Sequence, residues 1–285
     1  MRGPLHDTIS RATSHAMYTI CIVFTVFILT VLALVTGYLV YLGFSSISLS
    51  FSTEDPTGNP ASPGGMRNAL IGTGILVGLA SLIGVPMGIL TGVYLSEYDA
   101  DSWLAGPVRF VCDVLAGVPS IVVGILGYEL LVVPMGRFNG WAGALALAFI
   151  MVPIIARTTE EMLRLVPNSY REASLGTGAS KARTIFTVVL PAAMGSTITG
   201  IMLAIARVAG ETAPLLFTAL GSRYLTTNPN EPFPSLTVQI YKYATGPSPE
   251  EKRLAWAGIL ILISLIFVLN LSVRIISRKM HTKAE

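Results

Sequence analysis

The chain has 285 residues, 52% of them hydrophobic and only 12% charged, with a formal net charge of +3. A soluble domain carries about 25% charged residues, so this composition excludes a soluble globule and points to a chain dissolved mostly in lipid. The basic residues are scattered along the sequence, which excludes nucleic acid as a partner, and the distant Cys21 and Cys112 read as apolar thiols without a disulfide or a metal.

A helix needs about 20 apolar residues to cross the hydrocarbon core. Six segments qualify: residues 17–44, 68–96, 114–136, 138–156, 184–206 and 254–273. The fold class expected is therefore all-α and integral to the membrane, with six transmembrane helices in a permease domain over 17–276 and short tails at 1–16 and 277–285. The first span is too long for a signal-peptide core and is expected to remain as an uncleaved anchor. The loop after it, 45–65, is rich in Ser, Pro and Gly and has no basic residue, the mark of an irregular outer loop.

The second span carries Gly72, Gly74, Gly78, Gly84, Gly88 and Gly92. Spacings of four place small residues on one face and permit close helix contact. Asp113 is expected to open the third span as a charge at a helix N-terminus, and Glu129 to reach the interface near its outer end. Ser120, beside Pro119, offers a hydroxyl at a helix break, either to a solute or to its own helix. The polar segment 157–183 separates the fourth and fifth spans. In it, Ser169 and Glu172 have the spacing of a capping box, which predicts a short helix. Gly176 and Gly178 can stop that helix, and Ser180 can cap a second one running towards Pro191. Beyond the fifth span, 221–253 is the largest outer segment, and its partly apolar middle, 236–243, is expected to pack on the outer face.

With the N-terminus placed in the cytoplasm, twelve Lys and Arg fall on the cytoplasmic side and six outside. This excess predicts that both termini are cytoplasmic. The nineteenth basic residue, Arg207, falls within the membrane.

Glu172-Ala173-Ser174, then three residues, Gly178, nine residues, Val188, one residue and Leu190-Pro191 resemble the EAA loop of bacterial ABC import permeases. Ser and Val stand where Ala and Ile are usual. The stretches 115–124, 141–144, 157–160, 165–167 and 206–219 are similar to the A-type permease subunit of phosphate-specific transport systems. The resemblance implies the type I ABC importer permease fold and a cytoplasmic coupling loop whose Ser169, Glu172, Ala173 and Gly178 meet an ATPase. It also implies as partners a sister permease, two ATP-binding subunits and an extracytoplasmic phosphate-binding protein, in a bacterial inner membrane.

Arg207 is expensive inside a membrane, about 2.5–3.5 kcal/mol at a helix centre. Glu211, four residues on, is expected on the same helix face. The pair either neutralises itself structurally or faces the pathway and handles an anion, and Gly210, Thr212 and Pro214 loosen the chain there. Arg can hold two anion oxygens in its planar fork. Glu211 can accept a hydrogen bond from the proton that phosphate, unlike sulfate, still carries, or it can occupy Arg207 as a gate at rest. The residues leave both roles open.

No G-x-x-x-x-G-K-[ST] phosphate loop, Ser/His/Asp grouping or H-E-x-x-H occurs. The chain is therefore expected to be non-catalytic and to need no cofactor, with ATP hydrolysis on a partner. His6, His15 and His281 form no metal constellation. The alternatives are an ABC permease for another oxyanion, such as sulfate or molybdate, and a secondary anion transporter, which has no need of a cytoplasmic lever.

Overall fold

In the computed structural model residues 4–98 and 102–281 are described. Five helices are long and apolar enough to cross a membrane, and a sixth crossing is made if one bent pair is counted as a single span. Among the described residues there is no β-sheet, only two isolated bridges.

The centre of the molecule is α3 (Arg67–Glu97) packed along α7 (Gly140–Arg164). The glycine stripe explains the closeness. A Cβ on Gly88 would sit 2.6 Å from the Ile155 Cβ, and one on Gly92 would sit 2.6 Å from the Ala156 carbonyl oxygen. Gly74 and Gly78 face open space instead, so only part of the stripe is used. α7 meets it with Ala144, Ala148, Met151 and Ile155, and it is the most enclosed span, with 67% of its apolar stretch buried. By contrast, α1 (Pro4–Ser46) has none of its apolar stretch buried. It touches α13 (Pro249–His281) near its C-terminal end, where Tyr38 meets Trp256 edge-on at 6.0 Å.

The third expected span is not continuous. α4 (Ala105–Gly117) and the helical run Ser120–Met135 meet at 107°. Pro119 disfavours the helical conformation in the residue before it, and Val118 is accordingly extended, with φ −68° and ψ 131°. The run begins as α5 (Ser120–Gly127), passes through a π-helical turn, Tyr128–Val132, and ends as α6 (Val133–Met135). A second π turn, Ile185–Val189, joins α9 (Lys181–Thr184) to α10 (Leu190–Ala209). Both π turns lie just ahead of a proline, Pro134 and Pro191, whose missing N–H interrupts the i→i−4 ladder.

Three further expectations are corrected. α7 continues to Arg164, so the segment 157–183 begins as helix rather than as loop. Asp113 lies inside α4 rather than at the start of a span. The apolar stretch 236–243 is not a stretch of loop: it is α12 (Leu236–Thr245), a helix that buries Leu236, Val238, Gln239 and Tyr243 against α13 and α3. The 45–65 loop is compact, with a short helix α2 (Leu49–Thr53), a fully buried Phe51, and a 2.7 Å ion pair between Asp55 and Arg67.

Candidate functional site

α10 ends at Ala209, and α11 (Ala213–Thr218) starts after a break at Gly210–Thr212. Pro214 causes it, because it cannot donate to the Gly210 carbonyl. Thr212 is the residue before α11, and its carbonyl accepts from the Leu216 N–H at 3.0 Å. The Glu211 carbonyl, freed by the break, accepts from the buried Thr237 hydroxyl of α12 at 2.9 Å.

Gly200 packs on Thr158, and Ala219 packs on Gly143. The break therefore lies alongside the middle of α7, and Gly210 faces Ile266 near the middle of α13. Arg207 occupies the last turn of α10. Its Nε is 4.0 Å from Glu211 Oε1, with the Arg side chain 50% exposed and the Glu side chain 16% exposed. Glu211 lies beyond the helix end, so the two do not share a continuous helix face as the i,i+4 spacing predicts. The pair straddles a break at the outer limit of an ion pair, and the guanidinium is left largely uncovered by this chain.

A second break faces the first. α5 packs on α11, with Gly124 at Pro214 and Gly127 at Thr218. One turn back along both helices brings the half-buried Ser120 to the level of Glu211. Ser120 opens α5, directly after Pro119. The structure thus brings Arg207, Glu211 and Thr212 together at one helix break, and sets Ser120 at a second break that opens the helix packed on α11. Glu129 is exposed, within the π turn that follows α5.

The other expected residues lie at the C-terminal end of α7. α8 (Asn168–Gly176) carries Ser169, Glu172 and Ala173, all exposed. The capping box is not made: Pro167 precedes the helix and no side chain caps it. Pro167 fixes φ at the entry, and its carbonyl accepts from the Tyr170 N–H at 3.2 Å. Gly178 has φ +87°, a conformation that favours glycine, and Gly176 is the last helical residue. Ser180 accepts from the Arg183 N–H at 3.3 Å and caps α9.

Sequence reasoning missed two ion-pair clusters at this end. The Glu160 side chain is 2% exposed, and Arg109 and Arg164 reach it at 2.9 Å and Arg157 at 3.5 Å. Arg157 also pairs with Asp113 at 3.1 Å. This network pins α4 to α7. The signal was the run Arg157-x-x-Glu160-x-x-x-Arg164, whose spacings of three and four put the charges on one helix face. Arg171 of α8 reaches Glu97 at the end of α3, at 2.6 Å, a pairing that no spacing could reveal. At the opposite end of the molecule a cavity of about 620 Å³ lies between α12 and the 45–65 loop, lined by Arg223, Lys242, Tyr243 and Glu251 among others. Burial and the charge of Arg223 hold the Lys242 ammonium below its usual range, and its Nζ donates to the Leu220 carbonyl at 2.8 Å.

Several helices long and apolar enough to cross a membrane, with breaks tolerated only where they are buried in protein or line a cavity, define a polytopic membrane protein. Two solved structures share the architecture. A bacterial ABC transporter involved in alginate import aligns with a TM-score of 0.63 over 97% of this chain and 99% of that one, at 14% identity. The MetNI methionine ABC transporter aligns with a TM-score of 0.58 over 75% and 94%, at 20% identity. The fold is that of type I ABC importer permeases. The sequence pattern of the binding-protein-dependent transport system inner membrane component matches residues 84–282. The phosphate transport system permease protein PstA of Yersinia pestis is 47% identical over 241 residues, covering 84% of this chain and 81% of that one. The chain belongs to the binding-protein-dependent transport system inner membrane component family.

Proposed function

We propose that the chain is a membrane-spanning permease subunit of an ATP-driven importer of inorganic phosphate, and that Arg207 is its contact with the anion. The observation that carries this is the half-exposed Arg207 side chain at the break between α10 and α11, alongside the middle of α7 and α13. A charge so placed is costly against lipid, so the uncovered side of Arg207 faces a polar pathway, completed by a sister permease. Its planar fork suits a tetrahedral oxyanion. The loosely held Glu211 either accepts a hydrogen bond from the protonated oxygen of phosphate or releases Arg207 when the anion arrives. Ser120 and Thr212 offer hydroxyls at the facing breaks.

The remaining parts follow. The chain itself is non-catalytic. The segment 157–183 is its cytoplasmic coupling loop, where Ser169, Glu172, Ala173 and Gly178 meet one of two ATP-binding subunits. Both termini are cytoplasmic, 221–253 is external, and an extracytoplasmic phosphate-binding protein delivers the solute. The excess of Lys and Arg on the side of that loop supports the orientation, and the name of the Yersinia pestis relative supports the solute.

The test is affinity purification in detergent followed by reconstitution of the bound chains. ATP-dependent uptake of labelled phosphate that excess sulfate does not compete away is the expected result. Uptake by the chain alone, without an ATPase, would instead identify a secondary transporter.

A further inference from the structure

α8 has no buried residue. A helix without a core is held only by its attachments, and these are few. Its neighbours are α9 and the π turn 185–189, where Ser174 shares a 2.8 Å hydrogen bond with Thr184. Among the described residues its charged link to the ends of α3 and α7 is one side chain. Arg171 Nη2 and Nε donate to the two carboxylate oxygens of Glu97 at 2.6 and 3.0 Å. Nη1 donates to the Val166 carbonyl at 2.7 Å, and Nη2 donates to the Leu163 carbonyl at 2.9 Å. A fifth, longer contact joins Nη1 to Asn168 Oδ1 at 3.4 Å.

Each partner sits at a telling place. Glu97 is the last residue of α3. The Val166 carbonyl lies just past the end of α7, and the Leu163 carbonyl, in its last turn, also accepts from the Val166 N–H at 3.2 Å. One guanidinium thus joins α8 to the ends of both central helices, which are themselves locked together by the glycine stripe. The pair is mostly shielded from water and its geometry is bidentate, the strong form of a charge-assisted bond. The hydrogen bond and charge of Glu97 hold the Arg171 guanidinium above its usual range, against the effect of burial. Nearby, Lys181 lies over the Tyr98 ring at 4.4 Å, a second tie from the same segment to the end of α3.

We infer that Arg171 is the positioning residue through which displacement of α8 is transmitted to α3 and α7, with Glu97 as its receiving partner. This rests on the proposed docking of α8 on an ATP-binding subunit. Glu172, Ala173 and Ser169 present the exposed face to that subunit, and Arg171 grips the body on the other side. Without the grip, α8 would move while the core pair stayed in place, and ATP would be hydrolysed without transport.

The experiment uses the full complex in liposomes with its binding protein, measuring phosphate moved and ATP hydrolysed in the same sample. Arg171→Ala should leave hydrolysis within about twofold but cut phosphate moved per ATP by about fivefold or more, the scale of a coupling free energy. Arg171→Lys, which keeps the charge but not the fork, should lie between. Glu97→Gln should act in the same direction, and the double variant Glu97→Gln/Arg171→Ala should be no worse than Arg171→Ala alone. Glu97→Gln also carries the test if Arg171→Ala fails to assemble. An unchanged ratio in assembled variants, with or without a lower melting temperature, overturns the inference, as does a double variant that multiplies the two effects. Photo-cross-linking from position 169 separates the two ideas. No link to an ATP-binding subunit overturns the docking and the inference together. A link combined with an unchanged ratio overturns the inference alone.

Discussion

Replacing Glu160 with Gln keeps shape and volume but removes the charge that holds Arg109, Arg157 and Arg164 together. The carboxylate is 2% exposed, while the three arginines keep between a quarter and a half of their side chains in contact with solvent. Breaking a fully buried pair costs about 3–5 kcal/mol because a charge is left uncompensated. Here water reaches the arginines, and Asp113 still pairs with Arg157, so solvent screening lowers the expectation to about 2–3 kcal/mol. At roughly 2–4 °C per kcal/mol for a chain of this order of size, the purified complex should melt about 4–12 °C lower. Asp113→Asn removes only an exposed pair and should cost at most about 1 kcal/mol. Thermal unfolding of the two variants, followed by loss of monodisperse complex, gives the comparison. Glu160→Gln melting with the parent, or Asp113→Asn costing as much, would refute the view that one buried carboxylate organises this end of α4 and α7.

Gly88→Leu should nearly abolish accumulation of the complex in membranes, because even its Cβ would lie 2.6 Å from Ile155 and 3.2 Å from the Val152 carbonyl oxygen; Gly78→Ala, in open space, should accumulate normally. Impermeant thiol reagents added from outside should label Thr227→Cys and not Ser180→Cys, and the reverse pattern would invert the orientation. Glu211→Gln should make phosphate uptake more sensitive to competing sulfate if the carboxylate accepts a hydrogen bond from phosphate, whereas unchanged selectivity with a raised leak would assign it to the gate.

The spans were legible because lipid imposes one rule, a long uncharged run, and five of the six runs are helices at those places. The third was misread because hydropathy counts residues and is blind to direction. Val118 and Pro119 are apolar enough to continue a run while turning the chain through 107°. Gly84, Gly88 and Gly92 were legible as a packing stripe, but nothing in the sequence separated them from Gly74 and Gly78, since all six glycines look alike until α7 is in place. At the site, spacing put Arg207 and Glu211 on one face, and Pro214 overrode it by ending the helix before Glu211. Ser120 joined them only through the packing of α5 on α11. Glu160 was hidden for a different reason. A charged stretch after a span resembles a loop, and only the fold brings Arg109 across to neutralise it and let α7 continue. Arg171 and Glu97 are 74 residues apart, and no local pattern links them.

The most direct measurement is uptake of radiolabelled phosphate by cells that depend on this system, carrying Arg207→Gln, with the amount of assembled complex in the membrane measured alongside. Gln preserves much of the length and packing of Arg but removes the fork and the charge. If Arg207 is the anion contact, the complex assembles at parental levels and uptake falls to background, with Arg207→Lys recovering little. Uptake by Arg207→Gln close to that of the parent, at equal complex, would contradict the account and leave the Arg207–Glu211 pair as a structural device at the end of α10.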